Sequence, residues 1–412
     1  MLLHLPAAVL NVTGWLGWRS ENQRFSRPRA LRPGYNCVSQ SRSENQPDVN
    51  IMNRYNTVQK YISALRVLLG LMLLVVSSAV AGLAIADEPA ADDIDALQQQ
   101  AIQAATDAVA PSVVRIETLG GQDRIEGVPV GTGPRTGLIV GKDGYIITSS
   151  FNLAHQPTSI LVRMPDGSRK AAKKIATDNS RRLVLLKVET DEDLPVPEFA
   201  PDSDLRVGQW AITLARTYSP DEANMTVGII SGLNRVWGRA IQTDAAVSPV
   251  NYGGPLVDIH GRVVGVLTPM SPDSSGDAAG VEWYDSGIGF AAPADAVVKA
   301  LPKLIEGTDL DAGLCGIQFS DKTIYFDDST ISSVFPGSPA YKAGLKKGDV
   351  IRRIDNDETL YAAQVKTLLG ARYAGEVVHF SIERDGKPLE FDITLDRKST
   401  RLNSSHVKIS YA

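Results

Sequence analysis

The chain has 412 residues, of which 43% are hydrophobic, 22% charged and 6% aromatic, a composition that excludes wholesale disorder and a polytopic membrane protein. Its 47 acidic and 42 basic residues give a formal charge of −5, so the basic excess typical of nucleic-acid-binding proteins is missing. Two cysteines are too few for a disulfide scaffold, and no His, Cys, Asp or Glu cluster has metal-ligand spacing. We therefore expect no nucleic-acid partner, cofactor or metal, and the length predicts two or three domains.

The N-terminal region has the pattern of an export signal. Basic residues up to Arg66 precede an apolar run that ends in a small-x-small exit at Ala86, which is typical of a signal peptide over 52–86. The alternative is a membrane anchor over 67–86, because about 20 apolar residues can cross a bilayer. Residues 1–51 are polar and unpatterned, and we interpret them as an N-terminal extension. The folded part is expected in the periplasm or otherwise exported, with a membrane contact only if the segment stays uncleaved.

The next elements are one helix and many short strands. Residues 87–96 are acidic and small, which indicates a linker, and helical spacing then predicts a helix from Leu97 to Val109 that ends before Pro111. From 112 to 300, short β-rich runs are separated by Gly, Asp and Pro turns. This pattern predicts an all-β architecture, and its length fits two small barrels better than one.

A different pattern follows a helix predicted from Ala294 to Ile305. Beyond Gly307 the chain reads as strands with one inserted helix around Ala362 to Leu369, and ERDGKP supplies an Asp-Gly hairpin turn. Residues 312–396 therefore predict a second, α+β domain. Residues 397–412 have no periodicity, and we interpret them as a disordered or non-native tail.

Five runs occur in order along the chain: AVAPSVV at 108–114, GYIIT at 144–148, TD at 177–178 with LVLLK at 183–187, TDAAVSPVNYGGPLV at 243–257, and GIGFAAP at 287–293. As an ordered set they resemble the HtrA/Deg family of trypsin-fold serine proteases with PDZ domains. The resemblance covers 97–396 and implies a mainly β protein. It places two trypsin-like six-stranded β-barrels over 97–306 and an α+β PDZ domain over 312–396.

The resemblance implies a catalytic Ser, His and Asp, and the sequence departs from it at each position. Where the family has Gly-Asn-Ser-Gly-Gly-Pro, the chain reads VNYGGP, so Tyr252 stands at the serine position. Phe151 stands at the histidine position and Arg182 at the aspartate position. Val250 replaces a glycine whose N–H helps to bind the oxyanion. Since nucleophile, base and orienting carboxylate are all replaced, we expect a pseudoprotease without catalytic residues.

Substitutes for the lost groups lie nearby in the sequence. His155 follows Phe151 by four residues and is close to Ser149 and Ser150, which would suit a relocated Ser/His dyad. The simpler interpretation, which we favour, is a surface histidine in a polar loop. Arg182 is compatible with a site that has lost its imidazole, and the alternative is a solvated charge beside Arg181. Tyr252 as a nucleophile would need a base to lower its pKa from about 10. The alternative function is an active HtrA-like serine endopeptidase in protein quality control.

The second domain is similar to PDZ domains in SSVFPGSPA at 332–340 and AGLKKGDVI at 343–351. PDZ domains bind an extended C-terminal peptide as an added strand. The resemblance places the carboxylate-binding loop at Leu314-Cys315-Gly316-Ile317, with Cys315 interpreted as a small buried residue rather than a reactive thiol. The alternative is a domain that only packs or oligomerises.

Expected partners are exposed polypeptide C-termini or misfolded proteins, together with active HtrA-like relatives. By resemblance the protein is expected to form a homotrimer or to join a mixed trimer. The corresponding function is that of a scaffold, a chaperone-like binder or a regulator, and a purely structural envelope component is a further alternative.

Overall fold

A computed structural model describes Lys60, residues 64–69, Met72, and residues 91–397 apart from 123, 126–127, 130–132, 220–221, 272–285 and 321–323. The predicted extension 1–51, most of the signal or anchor segment 52–86, and the tail beyond Arg397 lie outside the described residues. In the described part of the chain, we find no helix that is both long and apolar enough to cross a membrane.

Helix α1, Ala91–Val109, begins earlier than its apolar spacing predicted. Residues 91–96, predicted as a linker, are helical, because acidic residues such as Asp93 and Asp95 are favourable near a helix N-terminus. The predicted end at Val109 is confirmed, and Pro111 follows in a 3₁₀ turn. The helix packs Ala105 and Val109 into a core shared by both barrels.

The first barrel closes in the strand order β1-β4-β5-β8-β7-β6. Leu138 and Ile147 enter the core shared with the second barrel, whereas their neighbours Ile139 and Ile146 enter the core of the first barrel. This alternation follows from the two-residue period of a strand, and it explains why the strands read as continuous apolar runs. The elements are β1 (Val113–Leu119), the hairpin β2 (Arg124–Ile125) and β3 (Val128–Pro129), β4 (Arg135–Ile139), β5 (Tyr145–Ser149), β6 (Ser159–Arg163), β7 (Arg169–Asp178) and β8 (Leu183–Val188).

The second barrel closes in the order β10-β11-β14-β13-β12-β9, which confirms the predicted pair of six-stranded barrels. Its helix α3 has the predicted bounds. The one-turn segment α2 lies in the hairpin between β10 and β11, and both Val236 and Trp237 there have left-handed backbone angles, with φ of 50° and 57°. The elements are β9 (Trp210–Ala215), β10 (Asn224–Asn234), α2 (Arg235–Gly238), β11 (Ala240–Thr243), β12 (Pro255–Val257), β13 (Val263–Leu267), β14 (Gly289–Pro293) and α3 (Ala294–Ile305).

The C-terminal domain has the predicted α+β character. A four-stranded sheet runs β19-β18-β20-β21, and two short pairs join β15 to β22 and β16 to β17. The ERDGKP turn forms the predicted hairpin, with Asp385 and Gly386 both left-handed. Arg397, assigned to the tail from sequence, belongs to β22. The elements are β15 (Gly313–Leu314), β16 (Ile317–Gln318), β17 (Ser333–Val334), α4 (Pro339–Ala343), β18 (Val350–Ile354), β19 (Asp357–Glu358), α5 (Ala362–Gly370), β20 (Val377–Arg384), β21 (Lys387–Thr394) and β22 (Asp396–Arg397).

A buried polar cluster joins the C-terminal domain to the first barrel. The Tyr373 hydroxyl donates to Asp178 Oδ2 over 2.5 Å, and the Arg181 guanidinium lies 4.6 Å from the centre of the Tyr373 ring. Arg181 Nη2 also donates to the carbonyl of Ala371 over 2.9 Å. Burial raises the pKa of Asp178, against the opposing effects of the Arg181 charge and the Tyr373 hydrogen bond. Because these partners come from both domains, the cluster holds one against the other.

Candidate functional site

Phe151 and Tyr252 meet where the two barrels adjoin. Ser149 ends β5 and caps the following 3₁₀ turn by accepting a hydrogen bond from the Phe151 N–H over 3.3 Å. The turn directs the Phe151 ring onto Tyr252, with centroids 5.6 Å apart and an 84° angle between the planes. The two side chains are only 7% and 5% exposed. An edge-to-face aromatic contact therefore occupies the point at which the resemblance expects an imidazole and a hydroxyl.

The loop that carries Tyr252 is tied to the first barrel by its backbone. The buried Asn152 side chain donates to the Tyr252 carbonyl over 2.7 Å. Asn251 Oδ1 accepts from both the N–H and the hydroxyl of Ser248, at 3.1 and 3.0 Å. The Ser248 hydroxyl is thus held within its own loop.

Gly253 and Val250 have different backbone constraints in this loop. Gly253 has a φ of 89°, and a Cβ there would collide with the carbonyl of Thr136 and the hydroxyl of Thr148, so close packing requires the glycine. Val250 is not left-handed, and its carbonyl accepts from the Thr136 hydroxyl over 2.8 Å. A Cβ at Gly254 would likewise collide with the carbonyl of Leu214. The loop therefore keeps two glycines that its packing demands, while the backbone at Val250 does not need a glycine.

Arg182 contributes a backbone carbonyl to the same region. Its φ is 58°, and its carbonyl accepts from the Ser150 N–H over 2.7 Å and from the Thr268 hydroxyl over 3.2 Å. Its side chain is half-buried, so the alternative of a fully solvated charge is wrong. The neighbouring Arg181 is buried in the interdomain cluster.

His155 is buried, and the predicted surface position is wrong. Only 6% of it is exposed, and Nε2 lies 3.1 Å from the Thr118 hydroxyl. Burial lowers the pKa of His155, and the charge of Arg135 lowers it further, so the ring is neutral at pH 7. The Ser149 hydroxyl instead pairs with Thr268 over 3.1 Å, so the structure does not form the Ser149–His155 dyad. Gly121 packs directly against His155, a contact that the polar loop sequence did not reveal.

The predicted carboxylate-binding loop lines a cavity of about 280 Å³ in the C-terminal domain. Gly316 has a φ of 86°, and a Cβ there would collide with Ser338. Ile317 begins β16, which forms a two-stranded sheet with β17. Cys315 is buried as expected, and burial raises its pKa to about 12. Leu314 lies at the same cavity, so the structure brings all four predicted residues together.

The sequence analysis missed two residues from the second barrel that line this cavity, Trp237 and Arg239. They lie in and next to α2, far along the chain from the carboxylate loop. The signal that could have found them is a pair of glycines, since Gly238 and Gly370 pack against the partner segment where any side chain would collide. Across the described residues, no three His, Cys, Asp or Glu side chains are grouped to hold a metal ion.

Comparison with known proteins gives the same order of domains. Residues 135–266 match the model of the trypsin-like peptidase domain, and residues 313–395 match the PDZ domain model. A "Probable periplasmic serine endoprotease DegP-like" of Chlamydia trachomatis is 31% identical over 280 residues, covering 64% of this chain and 54% of the relative. The chain belongs to the HtrA/Deg family. A protein of the same name from Marinomonas sp. is 30% identical over 277 residues, covering 64% of this chain and 57% of that relative. This HtrA/Deg chain thus spans little more than half the length of these relatives.

Solved structures of HtrA/Deg proteins share the fold. The "HtrA-type protease AlgW with tripeptide" aligns with a TM-score of 0.57 at 23% identity, covering 72% of this chain and 97% of the other. The serine endoprotease from Yersinia pestis aligns with a TM-score of 0.51 at 25% identity, covering 72% and 98%.

Proposed function

We propose that this HtrA/Deg chain is an exported pseudoprotease that binds exposed C-termini of polypeptides or misfolded proteins through its PDZ domain. The observation that carries the loss of catalysis is the buried Phe151–Tyr252 contact, at 5.6 Å between ring centres. Serine-type acyl transfer needs a hydroxyl within hydrogen-bond reach of a general base, which is an imidazole in the trypsin fold. Two packed aromatic rings leave neither a proton acceptor nor space for a substrate carbonyl beside them.

The nearby hydroxyl groups have other partners, which supports the same conclusion. Ser149 pairs with Thr268, and Ser248 pairs with Asn251. The neutral ring of His155 contacts Thr118. None of these three arrangements couples a serine to the imidazole, so a relocated dyad would require the loops to rearrange.

Peptide binding is supported by the geometry of the PDZ groove. The edge strand β16 offers its backbone to an added strand. Gly316 has a left-handed backbone in the carboxylate loop, and backbone N–H groups of such turns can form a site that holds anions. Related HtrA-type proteases have been solved with a tripeptide and with a decapeptide, and we extend that property to this groove. The cavity volume of about 280 Å³ suits one terminal apolar side chain.

The proposed role is that of a scaffold, a chaperone-like binder or a regulator of active HtrA-like relatives, within a homotrimer or a mixed trimer. The barrels would supply loops and subunit contacts, which need no catalytic triad. A periplasmic location is proposed from the names of the relatives.

The competing function is an active serine endopeptidase, which the names of the relatives favour. A fluorophosphonate probe separates the two, because it labels only activated serines. We expect the purified protein to stay unlabelled and casein to stay intact during prolonged incubation, with trypsin as the positive control. Labelling that maps to Ser149, Ser150 or Ser248 would show an activated serine and would support the active endopeptidase instead.

Restoring the triad tests whether more than the triad is missing. We expect Phe151→His, Arg182→Asp and Tyr252→Ser together to leave casein uncleaved, because Val250 also alters the oxyanion loop. The matched comparison is the quadruple variant that adds Val250→Gly, which restores the family glycine of the oxyanion loop. Strong proteolysis by the triple variant would show that the oxyanion loop is competent with valine.

A further inference from the structure

The outward face of the first barrel has arginines directly opposite one another. Arg163 of β6 lies opposite Arg115 of β1 on one side and opposite Arg169 of β7 on the other. Val114 and Val162, which precede two of them in sequence, lie in the core of the barrel, so the three arginines point outwards. Side chains in such positions are about 5 Å apart, and like charges placed there destabilise a sheet.

Two lysines continue this arrangement on the same face. Lys173 of β7 lies opposite Lys187 of β8. Their neighbours Ala172 and Leu186 pack in the core of the first barrel, so both lysines also point outwards. We call these five residues the cationic band: Arg115, Arg163, Arg169, Lys173 and Lys187. The band crosses β1, β6, β7 and β8, which are consecutive in the closed strand order, so it follows about half of the circumference of the barrel.

The carboxylates beside the cationic band neutralise only part of its charge. Glu117 forms ion pairs of 3.1 and 3.8 Å with the two outer arginines, and Asp143 pairs with Lys187 Nζ over 3.0 Å. Arg163 and Lys173 have no ion pair with any residue that the structure describes, and Lys173 is exposed to solvent. Five cations thus share two carboxylates, and the band keeps a net positive charge.

The shape and the composition of the band indicate which polyanion fits it. Repulsion between like charges is a cost that the fold does not require, and a bound polyanion would remove it. A flat bilayer cannot contact side chains that point outwards around half of a closed barrel, whereas a flexible linear polymer can follow them. Single-stranded nucleic acids need exposed aromatic rings for base stacking, but the Tyr145 ring on this face is covered by Lys187 Nζ, 4.3 Å from its centre.

We propose that the cationic band binds a linear anionic polysaccharide, which runs across the strands from β1 to β8. Neighbouring strands are about 4.8 Å apart, so successive cations meet the polymer at intervals close to the length of one sugar unit. The band lies on the first barrel and uses no residue of the PDZ groove. It therefore gives the chain a second ligand in addition to the peptide of the proposed function.

The test measures binding of a fluorescein-labelled heparin dodecasaccharide to the full chain by fluorescence anisotropy at low salt. Three single variants each remove one charge, and the band triple combines them: Arg163→Gln, Arg169→Gln and Lys173→Gln. Arg169→Lys keeps the charge. The control triple makes the same change of net charge at exposed lysines of the PDZ domain: Lys342→Gln, Lys347→Gln and Lys387→Gln. Phosphatidylglycerol vesicles and a single-stranded DNA oligonucleotide are compared as competing polyanions.

We expect each single variant to weaken heparin binding by about 5-fold and the band triple by about 100-fold, since each cation near an anionic surface contributes separately. Arg169→Lys and the control triple should bind like the parent. The slope of log affinity against log salt should become shallower by about one for each cation removed. Arg163→Gln should unfold at a urea concentration at least as high as that of the parent, because it relieves repulsion between like charges.

The inference is wrong if the band triple binds heparin as tightly as the control triple, or if heparin does not bind the parent at low salt. Tighter binding of the vesicles or the oligonucleotide than of heparin, lost in the band triple, would assign the band to a membrane or a nucleic acid and would also overturn it. The PDZ groove takes no part in this test, so either result leaves the proposed peptide binding unchanged.

Discussion

The contact between Phe151 and Tyr252 predicts that substitutions of these two residues have coupled effects on the free energy of unfolding. Leucine at either position keeps most of the buried volume but removes one ring of an edge-to-face pair. We expect each single variant to lower the free energy of unfolding by about 1–1.5 kcal/mol, in the range of volume-conserving core changes. Aromatic pairs in this geometry contribute about 0.5–1.5 kcal/mol beyond the area they bury. Both rings are more than nine-tenths buried, and their centres lie 5.6 Å apart, so the upper half of that range applies.

A double-mutant cycle isolates this coupling. Each single change already loses the pair, so Phe151→Leu with Tyr252→Leu should cost about 1 kcal/mol less than the sum of the two single changes. Urea denaturation followed by tryptophan fluorescence and circular dichroism gives the four free energies. The control cycle combines Tyr252→Leu with Ile116→Val in the core of the first barrel, and it should be additive. A test cycle as additive as the control would refute the idea that the rings fill the site together.

Three other predictions concern the PDZ domain. Tyr373→Phe should lower the free energy of unfolding by about 1–3 kcal/mol in urea, because the buried carboxyl of Asp178 loses a donor, and a loss below about 0.5 kcal/mol would contradict this. The hydrogen bond between His379 and Asp392 raises the pKa of His379. The pair therefore stabilises the fold fully below the ordinary histidine pKa near 6.5, and this stabilisation is lost as the pH rises through the raised pKa. Urea midpoints of the parent and of Asp392→Asn should accordingly differ most below pH 6 and converge at alkaline pH, and a constant gap would count against the pair. Cys315 should resist iodoacetamide at pH 8 until urea is added, as read by peptide mass mapping, since its pKa is about 12, and rapid alkylation of the native protein would show the loop to be open.

The sequence predicted the architecture because strand and helix patterns are local. The apolar period over Ala294–Ile305 is uninterrupted, and it predicted both ends of α3. The start of α1 was missed because residues 91–96 have no apolar period, although they are compatible with the first turns of a helix. Elements determined by short-range periodicity were thus predictable, whereas the N-terminal end of α1, which depends on the helix dipole and on helix propensity, was not.

The contents of the candidate sites depended on contacts distant in sequence. His155 is buried by packing against the loop at Gly121, which its own polar neighbourhood did not indicate. Arg182 acts in the structure through its carbonyl, and a side-chain comparison cannot detect such a role. Trp237 reaches the PDZ groove across more than 75 residues of chain, so only the three-dimensional structure could place it there.

The glycine at position 253 has a consequence for how such chains are recognised. Two oxygen atoms of the neighbouring barrel leave no room for a methyl group there, whether or not the preceding residue can attack a carbonyl. The two glycines of the Gly-Gly-Pro run are thus required by packing, and their presence carries no information about turnover. A motif search that weights these glycines therefore detects the shape of the loop and not the presence of a nucleophile.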